Sequence, residues 1–196
     1  TGSTASFTDM SSGTTTLVAA GLDDTVSAST NIGFDFYLMG VRYATFTTAD
    51  NGIIQLGGTI SGTQYTIPST TLPLITAFGN DMRVGTDGAV LAKVTGSAPN
   101  RVLTIQWTNN MIRFLSTAAA GTGTFQVRLY EGTGVIEYVY GAMATNAASP
   151  TSYYVGFSVN TTVNNLVTVN TTANTASTSA TVTTNSEAST GLGRCT

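Results

Sequence analysis

Two-residue alternation of side-chain character is the feature that most limits what this chain can fold into. Between Arg101 and Trp107, the large apolar residues Leu103, Ile105 and Trp107 alternate with smaller or polar ones. Successive side chains of a strand point to opposite faces of a sheet, so such a segment fits a half-buried strand. No window shows apolar residues at i, i+3, i+4 and i+7 between helix caps. The pattern predicts an all-β protein.

Further segments share this alternation, and one pair predicts a β-hairpin. Phe125, Val127 and Leu129 alternate with polar residues, and after a turn at 131–134 the chain resumes as a strand over 135–140. Other strands are predicted at residues 32–38, 42–47, 53–56, 74–78, 89–94, 153–159 and 166–169. Turn-forming residues separate the strands at 50–52, 57–58, 85–88 and 96–100. Many short strands with regular turns are typical of a β-sandwich, here of an immunoglobulin-like or jelly-roll-like kind.

The surface of such a sandwich has to be polar but almost uncharged. Charged residues make up only 9% of the 196 residues, against about 25% in an average soluble domain. Threonine alone supplies roughly a fifth of the chain, far above ordinary usage. Neutral polar groups can be buried against another subunit without the large desolvation cost of charges. This composition therefore favours close association between subunits.

Charge and hydropathy also limit the classes of partner. The formal net charge is −3, Lys93 is the single lysine and the arginines are scattered. Nucleic acids and anionic lipids require clusters of basic residues, and a membrane-spanning helix needs ~20 apolar residues in a row. We therefore expect neither a nucleic-acid partner nor insertion into a membrane. No basic start followed by an apolar region marks a signal peptide, so we expect the mature form of a secreted protein.

The two ends of the chain differ in composition from its middle. The length fits one sandwich domain at residues 31–170, with an extended N-terminal arm at 1–30 and a Thr/Ser-rich C-terminal arm at 171–196. Neither arm has enough apolar side chains to offset the entropy cost of ordering it. Strand addition to the body of the domain or to a neighbouring subunit would order them. The apolar residues that we expect an added N-terminal strand to insert are Leu17, Val18 and Leu22.

Candidate catalytic groups are few. The chain has no histidine, which removes the usual general base, the Ser-His-Asp and Cys-His systems and the commonest transition-metal ligand. Glu131 and Glu137 flank the predicted hairpin turn and are formally a glycosidase-like pair, but two solvated side chains are the simpler interpretation. We expect no enzymatic activity and no catalytic residues.

Three polar residues near predicted turns are weak candidates for Ca²⁺ ligands. Asn80, Asp81 and Asp87 offer oxygen atoms, which hard cations prefer. Their spacing does not match an EF-hand loop, and turn capping by the same side chains needs no metal, so no cofactor is expected. The single Cys195 lies second from the end. It is either a free thiol or half of an intersubunit disulfide.

Five tyrosines fall in neighbouring predicted strands and are candidates for a face that stacks on a sugar or on a protein partner. Strand alternation assigns about half of them to the core. They are Tyr130, Tyr138, Tyr140, Tyr153 and Tyr154.

The order of several short motifs gives the middle of the chain a family resemblance. The motifs are IGFDFY at 32–37 followed by Tyr43, DNGIIQLG at 50–57, LITAF at 74–78 with Asn80-Asp81, APNRV at 98–102 leading to Trp107, and FQVRLYE at 125–131 with IEY at 136–138 and Tyr140-Gly141. Over residues ~31–160 this order resembles nidogen-like domains and similar secreted cell-surface modules of the Bacteroidota type. The resemblance implies an extracellular β-sandwich module without catalytic residues.

Together these features favour a non-enzymatic extracellular structural subunit that assembles with copies of itself into a filament, appendage, sheath or surface layer. The first alternative is a cell-surface adhesin that binds a glycan or a matrix protein through its tyrosines. The second is a viral capsid or tail component, which would share the all-β character and low charge.

Overall fold

The chain folds into two packed antiparallel β-sheets. The computed structural model describes residues 6–67, 72–112, 119–144, 152–159, 166–170, 175–177 and 185–186, and of the last three ranges only the backbone. Within these ranges all regular structure is strand, so they contain no helix that could span a membrane. The strands are β1 (Thr15–Val18), β2 (Thr30–Leu38), β3 (Val41–Ala49), β4 (Ile53–Leu56), β5 (Leu74–Gly79), β6 (Arg83–Thr95), β7 (Val102–Met111), β8 (Gly123–Tyr130), β9 (Ile136–Met143), β10 (Ser152–Ser158), β11 (Leu166–Asn170), β12 (Thr175–Ser177) and β13 (Asn185–Ser186). The prediction of an all-β sandwich is confirmed.

The strand order places segments from both ends of the chain in the sheets. One sheet has five strands in the order β1-β6-β7-β8-β9. The other has the order β12-β11-β10-β5-β4-β3-β2, with β13 also paired to β10. Strand β1 therefore forms one edge of the five-stranded sheet, and β12 forms one edge of the other sheet. Three segments of the predicted arms, β1 in the N-terminal arm and β12 and β13 in the C-terminal arm, join their own domain by strand addition.

The main core lies between the two sheets and is built by the alternation that the sequence shows. In β2 every second residue from Ile32 to Leu38 is buried. Four aromatic rings lie together in the core. Within the five-stranded sheet Trp107 stacks on Phe125 at a ring-centroid distance of 4.9 Å, and within the other sheet Phe78 stacks on Tyr153 at 4.4 Å. The rings of Phe78 and Phe125 are 6.0 Å apart. Such offset contacts add to the stabilisation that area burial provides.

The second sheet is buried on both faces near its centre. Ile54 and Ile75 belong to the main core, whereas their neighbours Ile53 and Leu74 belong to a smaller apolar cluster with Ile60. Since adjacent strand residues point to opposite faces, this smaller cluster lies on the outer face. Ile60 and Ile67, in the described part of the connection between β4 and β5, belong to this cluster, which explains why β4 and β5 are apolar at nearly every position.

The turn predicted at residues 85–88 is wrong. Strand β6 runs without interruption through this segment, and only its register with β7 shifts between Val84 and Ala89. The irregularity is stabilised by the loop before β8, because Thr86 N–H donates to the Ala119 carbonyl at 2.8 Å and the Asp87 carboxylate accepts from Gly121 N–H at 2.8 Å. The glycines and the aspartate therefore form a β-bulge and not a reversal.

Candidate functional site

The terminal strand β1 is the candidate site that the sequence analysis assigned to assembly. It pairs antiparallel with β6, with Thr16 opposite Leu91 and Val18 opposite Val90. The run Thr-Thr-Leu-Val is rich in β-branched residues, which favour strands. Val18 is only 2% exposed and joins the main core, and Leu17 packs against that core. Val18 is thus inserted into the sandwich of its own chain and Leu17 packs beside it, while their insertion into a neighbouring subunit stays a prediction.

Leu22 does not take part in this insertion. Its side chain is 41% exposed, and the backbone around it is what attaches the segment to β6. Gly21 N–H donates to the Val84 carbonyl at 3.1 Å, Val84 N–H donates to the Leu22 carbonyl at 3.0 Å, and the Arg83 guanidinium donates to the Gly21 carbonyl at 3.0 Å. Leu22 is therefore not inserted into its own chain, and its predicted insertion into a neighbouring subunit stays a prediction. An isolated bridge between Val26 and Ala49 continues the attachment to the second sheet, so the described part of 1–30 belongs to the domain.

A buried turn closes the sandwich at the end where β3 meets β4. The Asn51 side chain accepts from Met82 N–H at 2.7 Å and donates to the Gly62 carbonyl at 2.9 Å. The Asp50 carboxylate accepts from Thr25 N–H at 2.9 Å, and the Asp50 carbonyl accepts from the Asn110 side chain at 2.7 Å. This one turn therefore holds together the N-terminal segment and both sheets.

Of the acidic residues at this end of the sandwich, Asp50 has the most strongly shifted pKa. Its second carboxylate oxygen is buried without a hydrogen-bond partner. Burial raises the pKa of Asp50 to about 7, and the nearby charges of Asp23 and Asp24 act in the same direction. Burial also raises the pKa values of Asp23 and Asp81. The turn is therefore surrounded by carboxyl groups that take up protons more readily than an exposed aspartate does.

Two of the three candidate Ca²⁺ ligands, Asn80 and Asp87, have structural roles of their own. The Asn80 side chain is buried and donates to the Ser152 carbonyl at 2.6 Å, while Asp81 is exposed. Asp87 accepts from Gly121 N–H and from the Asn109 side chain, so it stabilises the β-bulge of β6 and the loop before β8. Within the described ranges no three acidic, cysteine or histidine side chains are grouped as metal ligands.

Three of the five candidate tyrosines are core residues and do not form an exposed face. Tyr138, Tyr140 and Tyr153 are all less than 10% exposed. The Tyr138 hydroxyl donates to the Gly156 carbonyl at 2.8 Å, and the Tyr140 hydroxyl donates to the Ala77 carbonyl. Their hydroxyl groups join the two sheets, so the predicted binding face is wrong for these three residues.

The other two tyrosines are half-buried and lie in different sheets. Tyr154 packs against the smaller apolar cluster, and the Tyr130 hydroxyl donates to Glu137 at 2.6 Å. Glu137 also pairs with Arg128 at 3.1 Å, and Glu131 pairs with Arg101. Each of the two glutamates that flank the hairpin turn is thus held by an arginine of its own.

An exposed apolar patch that was not predicted from the sequence lies at the opposite end of the sandwich. Tyr37, Met39 and Val41 are exposed on the β2–β3 hairpin, with Met39 69% exposed at its tip. Val135 is exposed on the β8–β9 turn, and Gly134 of that turn approaches the Tyr37 carbonyl. The run Tyr-Leu-Met-Gly-Val could have signalled this patch, because a hairpin tip cannot bury all of its side chains. Cys195 and the other residues after 186 lie outside the described ranges.

Comparison with known protein families identifies the family of this chain, which geometry alone does not. The model of the NIDO-related family, a family of nidogen-related domains, matches residues 1–193. This chain belongs to the nidogen-related family. Searches of curated proteins and of solved structures gave no match. The match extends beyond the residues ~31–160 that the motifs indicated, and it includes both terminal segments.

The motifs on which the resemblance rests are structural elements of the sandwich. The Asp50-Asn51-Gly52 motif is the buried turn that joins the sheets, and FQVRLYE is strand β8 with the start of its turn. These motifs have structural roles and hold the sandwich together. A nidogen-related domain suggests an extracellular protein, in agreement with the location expected from the sequence.

Proposed function

We propose that this nidogen-related domain is a non-enzymatic extracellular structural subunit that assembles with copies of itself by exchange of its N-terminal strand. The observation that carries the proposal is β1, a terminal strand of four residues that forms an edge of a sheet and inserts Val18 into the core. A neighbour's β1 can make the same contacts, because antiparallel pairing depends on strand geometry and not on which chain supplies the strand.

The surface composition supports this proposal. With only 9% charged residues, two copies can approach closely without desolvating many charges. The contacts of residues 21 and 22 with β6 are backbone hydrogen bonds, which β6 of another copy can make in the same way. In a linear particle, exchange loses only the one β1–β6 pairing at the two ends, since every other β1 leaves one β6 and joins another.

The protein concentration decides whether β1 stays in its own sheet or is exchanged with a neighbour. Strand β1 reaches its own β6 with an effective concentration on the order of millimolar for a short connection. A dilute chain therefore keeps β1 in its own sheet, and exchange gains at high local concentration, as at a cell surface. We expect linear particles, because a strand donated head-to-tail leaves one free donor and one free acceptor.

Sedimentation of the full chain as a function of concentration tests the proposal. We expect species of several times 20.2 kDa at high concentration and linear particles by electron microscopy. Val18→Asp should abolish them, because it places an unpaired charge at a buried position in either arrangement. Leu22→Asp, at an exposed position, is the matched control and should assemble normally. Fluorescence of the buried Trp107 shows whether the body of each variant stays folded.

A chain that stays at 20.2 kDa up to millimolar concentration contradicts the proposal. Equal assembly of the Val18→Asp and Leu22→Asp variants also contradicts it, because assembly would then not depend on insertion of β1.

A further inference from the structure

The outer face of the five-stranded sheet carries a row of polar side chains that are buried under the N-terminal segment Ser6–Met10. Thr104 and Gln126 are fully buried, and Gln106 and Arg128 are 8% exposed. These residues alternate along β7 and β8 with the core residues, so they point away from the core. We call this row, together with Lys93 of β6, the polar cradle. Buried polar groups are costly unless they are hydrogen-bonded, so their partners show what the cradle binds.

The cradle binds the main chain of the segment. The Gln126 side-chain amide accepts from Thr8 N–H at 3.0 Å and donates to the Thr8 carbonyl at 2.8 Å. The N–H and carbonyl of one residue face the same side in extended backbone, so Gln126 binds Thr8 as a neighbouring strand would. The Arg128 guanidinium donates to the Ser6 carbonyl, and the Lys93 ammonium donates to the Asp9 carbonyl at 3.0 Å.

Contacts among the cradle residues hold Gln126 in position for this role. Its side-chain N–H₂ group also donates to the Gln106 side chain at 2.6 Å, and its side-chain oxygen accepts from Arg128 at 2.8 Å. Arg128 in turn pairs with Glu137 at 3.1 Å. A binding group that is already oriented loses little entropy when its ligand arrives, so the cradle is preorganised for a peptide main chain.

Side-chain contacts on both sides of Thr8 add specificity. The Phe7 ring lies against Gly141, where a Cβ atom would be only 3.0 Å from the ring, and Met10 is buried. A groove of about 540 Å³ runs between the segment and the sheet and is bordered by Leu91 and Thr124. The site therefore suits a peptide with an aromatic residue, a small residue and, two positions later, a large flexible apolar residue.

We propose that the polar cradle is a peptide-binding site whose ligand, besides the chain's own residues 6–10, is the same segment of a second copy. The choice of occupant rests on the proposed function. The described polar contacts between the segment and the cradle use cradle side chains, so the segment can leave without unpairing any strand. Met10 is five residues from Thr15 of β1, a span of roughly 17 Å at most. With β1 in place, the segment can therefore reach only a copy in direct contact.

Peptide exchange into the full chain tests this inference. A recognition sequence for a site-specific protease, inserted between the exposed residues Ser12 and Gly13, allows the segment to be cut and dialysed away. A fluorescent peptide with the sequence of residues 6–12 should then bind, as measured by anisotropy. A peptide with Thr8→Pro lacks the N–H that Gln126 accepts and should bind at least about tenfold more weakly. The control peptide with Ser12→Pro should bind within about twofold of the unmodified peptide.

Failure of the peptide to bind overturns the inference, and so does equal binding of the two proline peptides. The result of the peptide experiment can be distinguished from the result of the assembly test. A peptide that binds to a chain that never assembles supports the cradle and contradicts the proposed function, while assembly without peptide binding supports exchange of β1 alone.

Discussion

Asp50 shows how a single buried carboxyl group can make the stability of this domain depend on pH. Its folded-state pKa is about 7, above the ordinary value of 3.8. Between these values the folded chain holds a proton that the unfolded chain has released, so the free energy of unfolding decreases as the pH rises through this window. One such proton is worth about 1.4 kcal/mol per pH unit. We expect the domain to be more stable at pH 5 than at pH 8.

The variant Asp50→Asn should remove most of this dependence. We expect the difference in unfolding free energy between pH 5 and pH 8, measured in urea, to shrink by about 1 to 3 kcal/mol. Asp23 and Asp81, whose pKa values are also raised, leave a smaller dependence of the same sign. Asp35→Asn is the control, because the Arg42 partner lowers the pKa of Asp35 and places its titration below this window. An unchanged pH dependence in Asp50→Asn would show that its carboxyl group ionises normally.

The sequence predicted which side chains of a strand share a face better than it predicted whether that face is buried or exposed. The alternation assigned about half of the tyrosines to the core, but it could not tell which strand faces were covered by another segment. Tyr138 and Tyr140 lie on the inner face of an edge strand, and this placement depends on long-range pairing. Gln126 and Arg128 looked like ordinary surface residues in the sequence, because the segment that buries them is more than 100 positions away.

At the scale of elements, the turn between β3 and β4 is the most demanding feature. Gly52 has a φ of +75°, and a Cβ atom there would lie 2.1 Å from the Phe78 carbonyl oxygen. We expect Gly52→Ala to destabilise the domain by more than about 3 kcal/mol, because the backbone strain and the clash add together. Gly21→Ala is a matched control with a φ of +72° and open space around it, and it should cost only about 1 to 2 kcal/mol. Thermal unfolding of both variants measures the difference, and equal losses would show that the clash is relieved by movement of β5.

Strand positions were predictable because their signal is local. The predicted strand at residues 53–56 is β4 as observed, and the predicted strand at 74–78 differs from β5 by one residue. The error at 85–88 has the opposite origin, since glycine and aspartate serve both reversals and bulges. Only the pairing of β6 with β7 and with the loop before β8 distinguishes the two.

At the scale of the whole molecule, the terminal segments complete the domain. Low apolar content predicts that the N-terminal segment needs a partner to order it, and its described residues pack against their own domain. It could not predict which partner orders it, because β6 of the same chain and β6 of a neighbour present the same edge. The structure of a single chain shows β1 in its own sheet, and the assembly is the proposal built on that contact.

The most direct test is a disulfide that records which chain supplies β1. Thr16 and Leu91 are opposite each other in the β1–β6 pair, and such pairs have Cα separations that a disulfide can bridge. A full chain with Thr16→Cys, Leu91→Cys and Cys195→Ser is oxidised at high concentration and separated on a non-reducing denaturing gel. Thr95→Cys with Val102→Cys, a registered pair within the β6–β7 hairpin, is the intramolecular control. Our account predicts a ladder of covalent oligomers for the first pair and monomer for the second; complete crosslinking of the first pair within monomers would contradict strand exchange.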